Sequence, residues 1–220
     1  DLEADPHELT NLADDPAHAE TLRHFSDMAQ ARWDLDAFDS EVCTAFRGQC
    51  VPQPDGPDLE TLSGVIMHRA NVRDMGDYMS MVATHTVDVG DERAGVRWYE
   101  FRDDGSGWSV HQQGTFAPDD GLHRWMASIA INPSGGIALG YSASSNSEDP
   151  DIRYTGRPAG APLGEMTFTE EVMFDSDESQ GGSSRWGDYS AMVTDAANPN
   201  TFWYVNEYAT DNFSTFNWDT

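Results

Sequence analysis

The chain has 220 residues, of which 38% are hydrophobic and 11% aromatic, so it can bury a core and does not have the composition of a disordered tail. Its 39 acidic residues stand against 12 basic residues, all of them Arg, and a net charge of -27 disfavours binding to nucleic acids and to anionic lipid surfaces. No apolar run reaches the roughly 18 residues of a membrane span, and we expect no signal peptide in the opening residues.

The acidic, lysine-free composition predicts a marine or halophilic source. Such a surface holds water and small cations, and high salt screens the repulsion between its carboxylates. A GC-rich genome that encodes Arg in place of Lys would give the same composition, so this alternative stays open.

Residues 1–42 are predicted to form a helical segment. Asp15 followed by Pro16 is typical of a helix N-cap and first turn. Apolar residues then recur at three- and four-residue intervals, which places them on one helix face. They are Leu22, Phe25, Ala29 and Trp33.

The same segment resembles a known family. Residues 1–25, DLEADPHELTNLADDPAHAETLRHF, resemble the C-terminal portion of bacterial sulfatases, and residues 31–42, ARWDLDAFDSEV, look like the C-terminal extension of choline-sulfatases. That resemblance implies sulfuric ester hydrolysis, which the family performs with a C/S-x-P-x-R motif and a calcium site. Cys43 is followed by TAFR and Cys50 by VPQP, so neither supplies the motif and no catalytic residue carries over.

The two cysteines, Cys43 and Cys50, have six residues between them and could close a small disulfide loop. A structural disulfide suits an exported protein, because cytosolic thiols stay reduced. We therefore expect a secreted or cell-surface protein. A zinc site would need two further ligands that the sequence does not indicate, so no metal is predicted here.

From Cys43 onward the pattern changes to short alternating runs between Gly, Asp, Asn and Pro, which predicts antiparallel strands in a second domain, 43–220. The clearest runs are 78–87, 95–102, 107–113, 127–131, 137–142 and 202–208. The stretch NPSGG at 132–136 has the length and composition of a hairpin turn. We expect this domain and residues 1–42 to have no common core.

Internal repetition indicates which all-β architecture is present. The repeated segments are DMGDYMSMV (74–82), RWMASIAI (124–131) and RWGDYSAMV (185–193). They align with Met75, Trp125 and Trp186 in register, and each opens a unit of about four strands, as propeller blades do. Ala130 and Ala191 are predicted to lie on the innermost strands of their blades.

The predicted fold is therefore mainly β, an incomplete sialidase-like β-propeller of two to three four-stranded blades with a short helical N-terminal segment. A propeller needs at least about four blades to close. Either the chain is a fragment of a longer propeller, or it folds as an open arc with exposed edge strands.

A hairpin motif points the same way. Asp103, Gly105 and Trp108 in FRDDGSGW match the D-x-G-x-x-W part of the Asp box of sialidase-like propellers, with Phe101 where that motif has Ser or Thr. We expect these residues to shape a tight turn. Residues 43–220 also resemble a family of uncharacterised exported bacterial propeller proteins, through CVPQP, HRWMASIAI, IRYTGR, RWGDYSAM and FWYVNEY.

Three arginines are candidate binding residues. Arg124 and Arg185 hold equivalent positions in two repeats, and Arg73 lies one residue out of register before the first. Resemblance to sialidases implies a site in which three Arg from different blades bind a substrate carboxylate. The alternative is that each Arg pairs with nearby acidic residues or stacks on a neighbouring Trp.

A carboxylate beside a phenol recurs in the first and third repeats, as Asp77 with Tyr78 and as Asp188 with Tyr189. Such pairs could supply the acid and the nucleophile of a sialidase-type site. They could equally cap backbone amides in a turn.

The acidic loop DSDESQGG at 175–182 is a candidate for weak calcium binding through Asp175 and Asp177. It lacks the ligand count of an EF-hand, so an ordinary solvated loop is the alternative. No other cofactor is predicted.

Three classes of function remain open. The preferred one is a non-catalytic module of an exported propeller protein that binds glycans or proteins. The others are a sialidase-type glycoside hydrolase and a sulfuric ester hydrolase, the latter implied by residues 1–42 alone. With no sulfatase nucleophile and an incomplete ring, we expect no catalysis by this chain, because reacting groups need closely fixed geometry.

Overall fold

The computed structural model describes residues 42–44, 48–210 and 217–219, all within one compact unit that spans 38–220. The helices predicted before Val42, and their predicted separation from the second domain, lie outside the described residues. Within the described part, no helix is long and apolar enough to cross a membrane.

The described residues form thirteen strands and a 3-10 turn at Val42–Thr44. The strands are β1 (Gln49–Val51), β2 (Leu59–Glu60), β3 (Asn71–Asp74), β4 (Met79–Asp88), β5 (Ala94–Asp103), β6 (Ser109–Phe116), β7 (His123–Ile131), β8 (Ile137–Ser144), β9 (Asp151–Arg157), β10 (Glu171–Phe174), β11 (Ala191–Thr194), β12 (Phe202–Tyr208) and β13 (Asn217–Asp219).

Strands that follow one another in the chain pair as antiparallel neighbours. Strands β3 to β6 form sheet 1, β7 to β10 form sheet 2, β11 to β13 form the three-stranded sheet 3, and β1 pairs with β2. The mainly β fold is thereby confirmed. The six predicted runs coincide with β4 to β8 and β12 within a few residues, because alternation of apolar and polar residues is a strong local signal for a strand.

The predicted turn at 132–136 joins β7 to β8. Asn132 Oδ1 accepts hydrogen bonds from the backbone N–H groups of Ser134 (3.0 Å) and Gly136 (2.8 Å). Gly135 has a φ of 79°, a left-handed conformation that glycine adopts without steric cost. The loop is therefore determined by its own residues, as Asn- and Gly-containing turns commonly are.

Sheets 1 and 2 pack face to face through a closed apolar core. Sheet 1 contributes Val82, Val96 and Trp98, and Trp98 is 1% exposed. Sheet 2 contributes alternate residues of two strands, which therefore lie on one face. They are Ala127, Ile129, Ile131, Ile137, Leu139 and Tyr141.

The opposite face of sheet 2 packs against sheet 3. Ala130 and Ile152 of sheet 2 lie in one buried cluster with Met192 and Tyr204 of sheet 3. A Cβ atom built on Gly140 would lie 2.5 Å from Cε1 of Tyr204, so the aromatic ring occupies the space that any larger residue would need.

A third cluster surrounds Trp125 and Trp186, which are 0% and 1% exposed. The disulfide between Cys43 and Cys50, with a Cα–Cα distance of 5.8 Å, packs beside it. Near the same end of the domain, Gln53 Nε2 donates to the Gln180 carbonyl at 2.9 Å. These contacts hold the first described residues against the segment that leads into sheet 3.

The three repeated segments keep one backbone feature in common. The aligned residues Gly76, Met126 and Gly187 have φ values of 92°, 50° and 68°. Positive φ is unusual for Met, because a side chain is strained in the left-handed region. Its occurrence at the aligned position shows that the local backbone geometry is repeated even where the side chain is not Gly.

The aromatic positions are less equivalent than the alignment predicts. Trp125 lies inside β7, whereas Trp186 precedes β11 and is not in a strand. Met75 is half-buried and lies outside the cluster that contains both Trp residues. Sheet 1 also begins with a strand, β3, that comes before the strand of its repeated segment, whereas sheet 2 begins with the strand that contains its repeated segment. The repeat therefore conserves a positive φ, which lies outside the strands at Gly76 and Gly187 but inside β7 at Met126. The packing of each aromatic residue depends on its own neighbours.

Candidate ligand-binding groove

A groove of about 910 Å³ opens where sheets 2 and 3 diverge, and this volume is within the range of roughly 300–1,000 Å³ typical of small-ligand sites. Its lining comes from the β7–β8 turn, from β8, β9, the β9–β10 loop and β10, and from β11, β12 and the loop between them. We call this feature the groove. Its principal side chains are Asn132, Tyr154, Phe168, Asn200, Phe202 and Tyr204.

Small residues make room for the groove. Ala138 of β8 and Gly156 of β9 pair in register and both line it. A Cβ atom on Gly156 would lie 2.7 Å from the Ile137 carbonyl oxygen, so this position has no space for a side chain. Tyr154 is two residues before Gly156, and the alternation of a strand places it on the same face.

Aromatic rings form the walls of the groove, and several are accessible to solvent. Phe168 is 58% exposed and Tyr154 is 42% exposed. Large apolar residues gathered at an open site are unusual on a soluble protein and often mark a binding surface. Tyr204 is buried behind them, and burial raises the pKa of its hydroxyl well above the usual value.

One exposed ring is held in place by its polar edge. The Trp203 Nε1–H group donates to Asp195 Oδ2 at 2.7 Å. This hydrogen bond, together with those from the backbone of Asn198 and Ala197, lowers the pKa of Asp195. Trp203 pairs with Val193 in the β11–β12 register, so its indole lies on the face of sheet 3 opposite Phe202 and Tyr204 and does not form a wall of the groove.

Neutral polar groups lie on the rim. Ser134 Oγ donates to Asn200 Oδ1 at 2.9 Å and so connects the β7–β8 turn to the β11–β12 loop. Asn132 uses its carbonyl oxygen to order its own turn. The rim thus combines amide and hydroxyl groups, which can both donate and accept hydrogen bonds.

Arg157 is the charged residue in the described lining, and it is 1% exposed. Its guanidinium donates to the carbonyl oxygens of Ala161 (2.8 Å), Pro162 (2.8 Å) and Glu165 (3.1 Å). Burial lowers the pKa of Arg157. Its hydrogen bonds serve to shape the 161–165 loop.

Of the predicted binding arginines, Arg124 lies in a buried network of ion pairs. It donates to Glu170 at 2.7 Å and to Asp120 at 2.6 Å. Arg153 and the Tyr141 hydroxyl donate to the same Glu170. Burial opposes ionisation of Glu170, but these hydrogen bonds outweigh it and lower the pKa of the carboxyl group.

The other two arginines have different surroundings. Arg73 donates to the Ile131 carbonyl oxygen at 2.8 Å and to Thr194 Oγ1 at 2.7 Å, so it connects sheet 1 to sheets 2 and 3. Arg185 is exposed and pairs with Asp188. Among the described contacts the three guanidinium groups have no partner in common, and none of the three residues lines the groove.

The two Asp–Tyr pairs also differ from each other. The Arg102 guanidinium carbon lies over the Tyr78 ring, 4.3 Å from the ring centre. Asp77 is exposed. Tyr189 is 75% exposed beside Asp188. Behind this second pair, Glu207 accepts a hydrogen bond from the Gly187 N–H at 2.6 Å, and burial raises its pKa to about 7.

The hairpin motif forms a local turn, and the two predicted calcium ligands of the acidic loop are exposed. Asp103 Oδ1 accepts hydrogen bonds from the N–H groups of Gly105 and Gly107, both at 2.8 Å, in the β5–β6 turn. Trp108 is half-buried there. Asp175 and Asp177 are exposed. In the residues that the structure describes, no group of three or more His, Cys, Asp or Glu could hold a metal ion.

The residues of the groove are not among the site residues that the sequence predicts. The pattern of FWYVNEY predicts a strand, but its three consecutive aromatic residues carry a further signal. Strand alternation can bury Phe202 and Tyr204 on one face only if Trp203 points the other way. That signal could have found Phe202 and Tyr204 as an inward-facing pair, whereas the contributions of Tyr154 and Phe168 depend on how two sheets pack.

Comparisons with known proteins bear on a short part of the chain. No protein-family model and no solved structure matches it. Choline-sulfatase from Rhizobium meliloti (strain 1021) is 56% identical over 45 residues, which are 19% of this chain and 9% of that protein. This match supports the sulfatase resemblance of residues 1–42. The chain covers less than a tenth of that relative, and the propeller resemblance stays a prediction.

Proposed function

We propose that residues 43–220 are part of an exported β-propeller protein. Three successive antiparallel sheets, each packed on the next through opposite faces, are the arrangement that neighbouring blades adopt. The positive φ shared by the aligned residues Gly76, Met126 and Gly187 supports this. The Cys43–Cys50 disulfide supports export.

Sequencing the DNA that flanks the coding region would test this architecture. We expect further segments that align with residues 124–131 at blade-like intervals. A sulfatase core with a C/S-x-P-x-R motif instead would favour a sulfatase function for the whole polypeptide.

We further propose that this domain is a binding module for glycans or proteins and that the groove is its ligand site. The observation that carries the proposal is the groove itself, about 910 Å³ in volume and walled by exposed aromatic rings. Its lining among the described residues includes no Asp, Glu, His or Cys. General acid–base and nucleophilic catalysis usually need such groups, so a binding role fits better than a hydrolytic one.

Array screening can test the groove across many ligands at once. The purified chain and its Tyr154→Ala, Phe168→Ala double variant would be compared on a glycan array and on a peptide array. We expect at least one ligand whose binding is lost in the double variant. The matched control is Tyr189→Ala, which removes an exposed ring that does not line the groove. Binding that the double variant retains in full would contradict the proposal.

A sulfuric ester hydrolase is the second candidate, because the 45-residue match is to a choline-sulfatase. The catalytic motif of that family is absent from this sequence. This candidate therefore applies to a longer polypeptide that contains the match.

A further inference from the structure

An acidic side chain stands at the mouth of the groove. Glu171 is the first residue of β10 and pairs in register with Tyr154 of β9. Residues directly opposite each other in an antiparallel pair point to the same face of the sheet. Tyr154 lines the groove, and the Glu171 side chain beside it is exposed. A carboxylate therefore lies next to an aromatic wall of the groove, on the solvent side.

The groove behind this carboxylate is walled by apolar and aromatic side chains on both sheets. They are Tyr154, Phe168, Met173, Met192, Phe202 and Tyr204. Aromatic rings pack well with one another, and the flexible, polarizable thioethers of Met adapt to apolar groups of several shapes. The volume of about 910 Å³ has room for a large side chain. The walls thus favour an apolar or aromatic side chain as the group that enters.

Charge narrows the choice of ligand further. The net charge of -27 attracts cations and repels anions over the whole molecule. Among the described contacts Glu171 makes no ion pair, so its carboxylate is available to a ligand. A cation beside an exposed carboxylate stays hydrated while an apolar neighbour is buried, as happens in long basic side chains. The ligand should therefore combine an apolar group with a positive charge close to it.

Strand β10 adds a backbone edge to the same place. It is the outermost strand of sheet 2, and the backbone of Glu171–Phe174 makes no described hydrogen bond besides its pairing with β9. An extended peptide can pair with such an edge through its own N–H and C=O groups. Because side chains alternate along a strand, those that lie opposite Glu171 and Met173 share the groove side and are two residues apart.

We infer that the groove takes an extended peptide segment of a partner protein, which pairs with β10 and has a basic residue two positions from an apolar or aromatic one. The apolar side chain enters between Phe168 and Phe202, and the basic side chain lies beside Glu171. This inference rests on the proposed binding function of the groove and names its ligand class. The spacing distinguishes this ligand from any other cationic peptide, which the acidic surface attracts without regard to order.

NMR titration of the purified chain with four peptides, acetylated and amidated at their ends, tests the inference. SSKSFSKSS has Lys two positions from Phe on both sides, and SSSKFKSSS has the same composition with Lys next to Phe. SSKSSSKSS lacks the apolar residue, and SSESFSESS is acidic. We expect SSKSFSKSS to bind about three- to fivefold more tightly than its isomer, about tenfold more tightly than SSKSSSKSS, and SSESFSESS not to bind.

Matched variants separate the parts of the site. Glu171→Gln should weaken binding of SSKSFSKSS about two- to fivefold, as expected for an exposed ion pair. Asp177→Asn removes the same charge from an exposed position outside the described lining, so the affinity should stay unchanged. Phe168→Ala should weaken binding about tenfold, because the Phe of the peptide loses an apolar wall. Phe168 is exposed, so its replacement should not affect folding.

Equal affinity for the two isomeric peptides, or an equal effect of Glu171→Gln and Asp177→Asn, would show general attraction to an acidic surface and would overturn the inference. Binding of none of the peptides would overturn it as well. A glycan whose array signal is lost in the Tyr154→Ala, Phe168→Ala double variant would then leave the binding function of the groove standing. Array signals that this double variant retains in full would overturn both proposals.

Discussion

Sheet 2 has two packed faces, and they differ in their side chains. Towards sheet 1 it presents aliphatic residues such as Ile129, Ile131 and Leu139, which form a closed core with Trp98. Towards sheet 3 it presents Ala130 and Gly140, against which Tyr204 packs. The first face is filled along its length, whereas the second meets large rings at one end and opens into the groove at the other.

The same kind of antiparallel unit therefore yields either a solid core or a ligand site, depending on the sizes of the facing residues. On the first face, the branched residues of sheet 2 pack with Val82, Val96 and Trp98 of sheet 1 in a buried core. Small residues that face aromatic rings allow the two sheets to approach closely at one point. Beyond that point, the projecting rings hold the two sheets apart. Changes to each face should thus have different consequences.

The largest expected effect is the loss of the closed core. Trp98→Ala should lower the free energy of unfolding by about 3–5 kcal/mol, because it leaves a cavity among residues that cannot collapse into it. Phe168→Ala removes an exposed ring of the groove and should change stability by less than about 1 kcal/mol. Urea unfolding followed by circular dichroism measures both, and equal losses would contradict the distinction between the two faces.

A smaller effect should follow from filling the close contact between sheets 2 and 3. Gly140→Ala places a methyl group against the Tyr204 ring and should destabilise the fold by about 1–3 kcal/mol. Because Tyr204 also lines the groove, ligand affinity should fall as well. For stability the control is Gly160→Ala, since nothing lies within 4 Å of a Cβ built there. An unchanged unfolding midpoint for Gly140→Ala would show that the ring can move aside.

The buried carboxyl group of sheet 3 predicts a pH dependence. Burial raises the pKa of Glu207 to about 7 from an ordinary value of 4.5. Between these values the folded state keeps a proton that the unfolded state has released, so stability should fall as the pH rises and level off above about pH 7. We expect a loss of about 1–2 kcal/mol between pH 5 and pH 7.

Replacement of the carboxyl group isolates its contribution. Glu207→Gln keeps an acceptor for the Gly187 N–H but does not titrate, so the slope of stability against pH should flatten in this window. Glu165→Gln, at an exposed position, is the matched control. Urea midpoints measured at pH 5, 6, 7 and 8 would reveal the difference, and parallel slopes for wild type and Glu207→Gln would refute the assignment.

The smallest expected effect is on catalysis. We expect the purified chain neither to hydrolyse choline sulfate nor to release sialic acid from a fluorogenic glycoside, because the sulfatase motif is absent and the three candidate arginines have separate partners. Sulfate release and fluorescence measure the two reactions. Turnover abolished by Arg124→Ala or by Asp188→Asn would show a catalytic site that the binding proposal does not include.

The candidate arginines show where reasoning from the sequence stops. The equivalence of Arg124 and Arg185 in two repeats is visible in the sequence, but their surroundings are not. Arg124 is 0% exposed and its partner Glu170 is 46 residues further along the chain. Arg185 pairs with a residue three positions away and remains exposed. Equivalent positions in a repeat therefore have different electrostatic environments, because the loop before β10 brings Glu170 to Arg124, whereas Arg185 pairs with the nearby Asp188.

Local sequence determined the strands and several turns of this protein. The alternation in β4 to β8, the Asn132 turn and the Asp103 turn all depend on contacts between residues that are close in the chain. Tertiary structure alone decided the groove, because its walls combine residues from Asn132 to Tyr204 on two sheets. The physical reason is that a site between sheets depends on how facing side chains of different sizes fill the space. The periodicity of one strand does not show which side chains the facing sheet places against it.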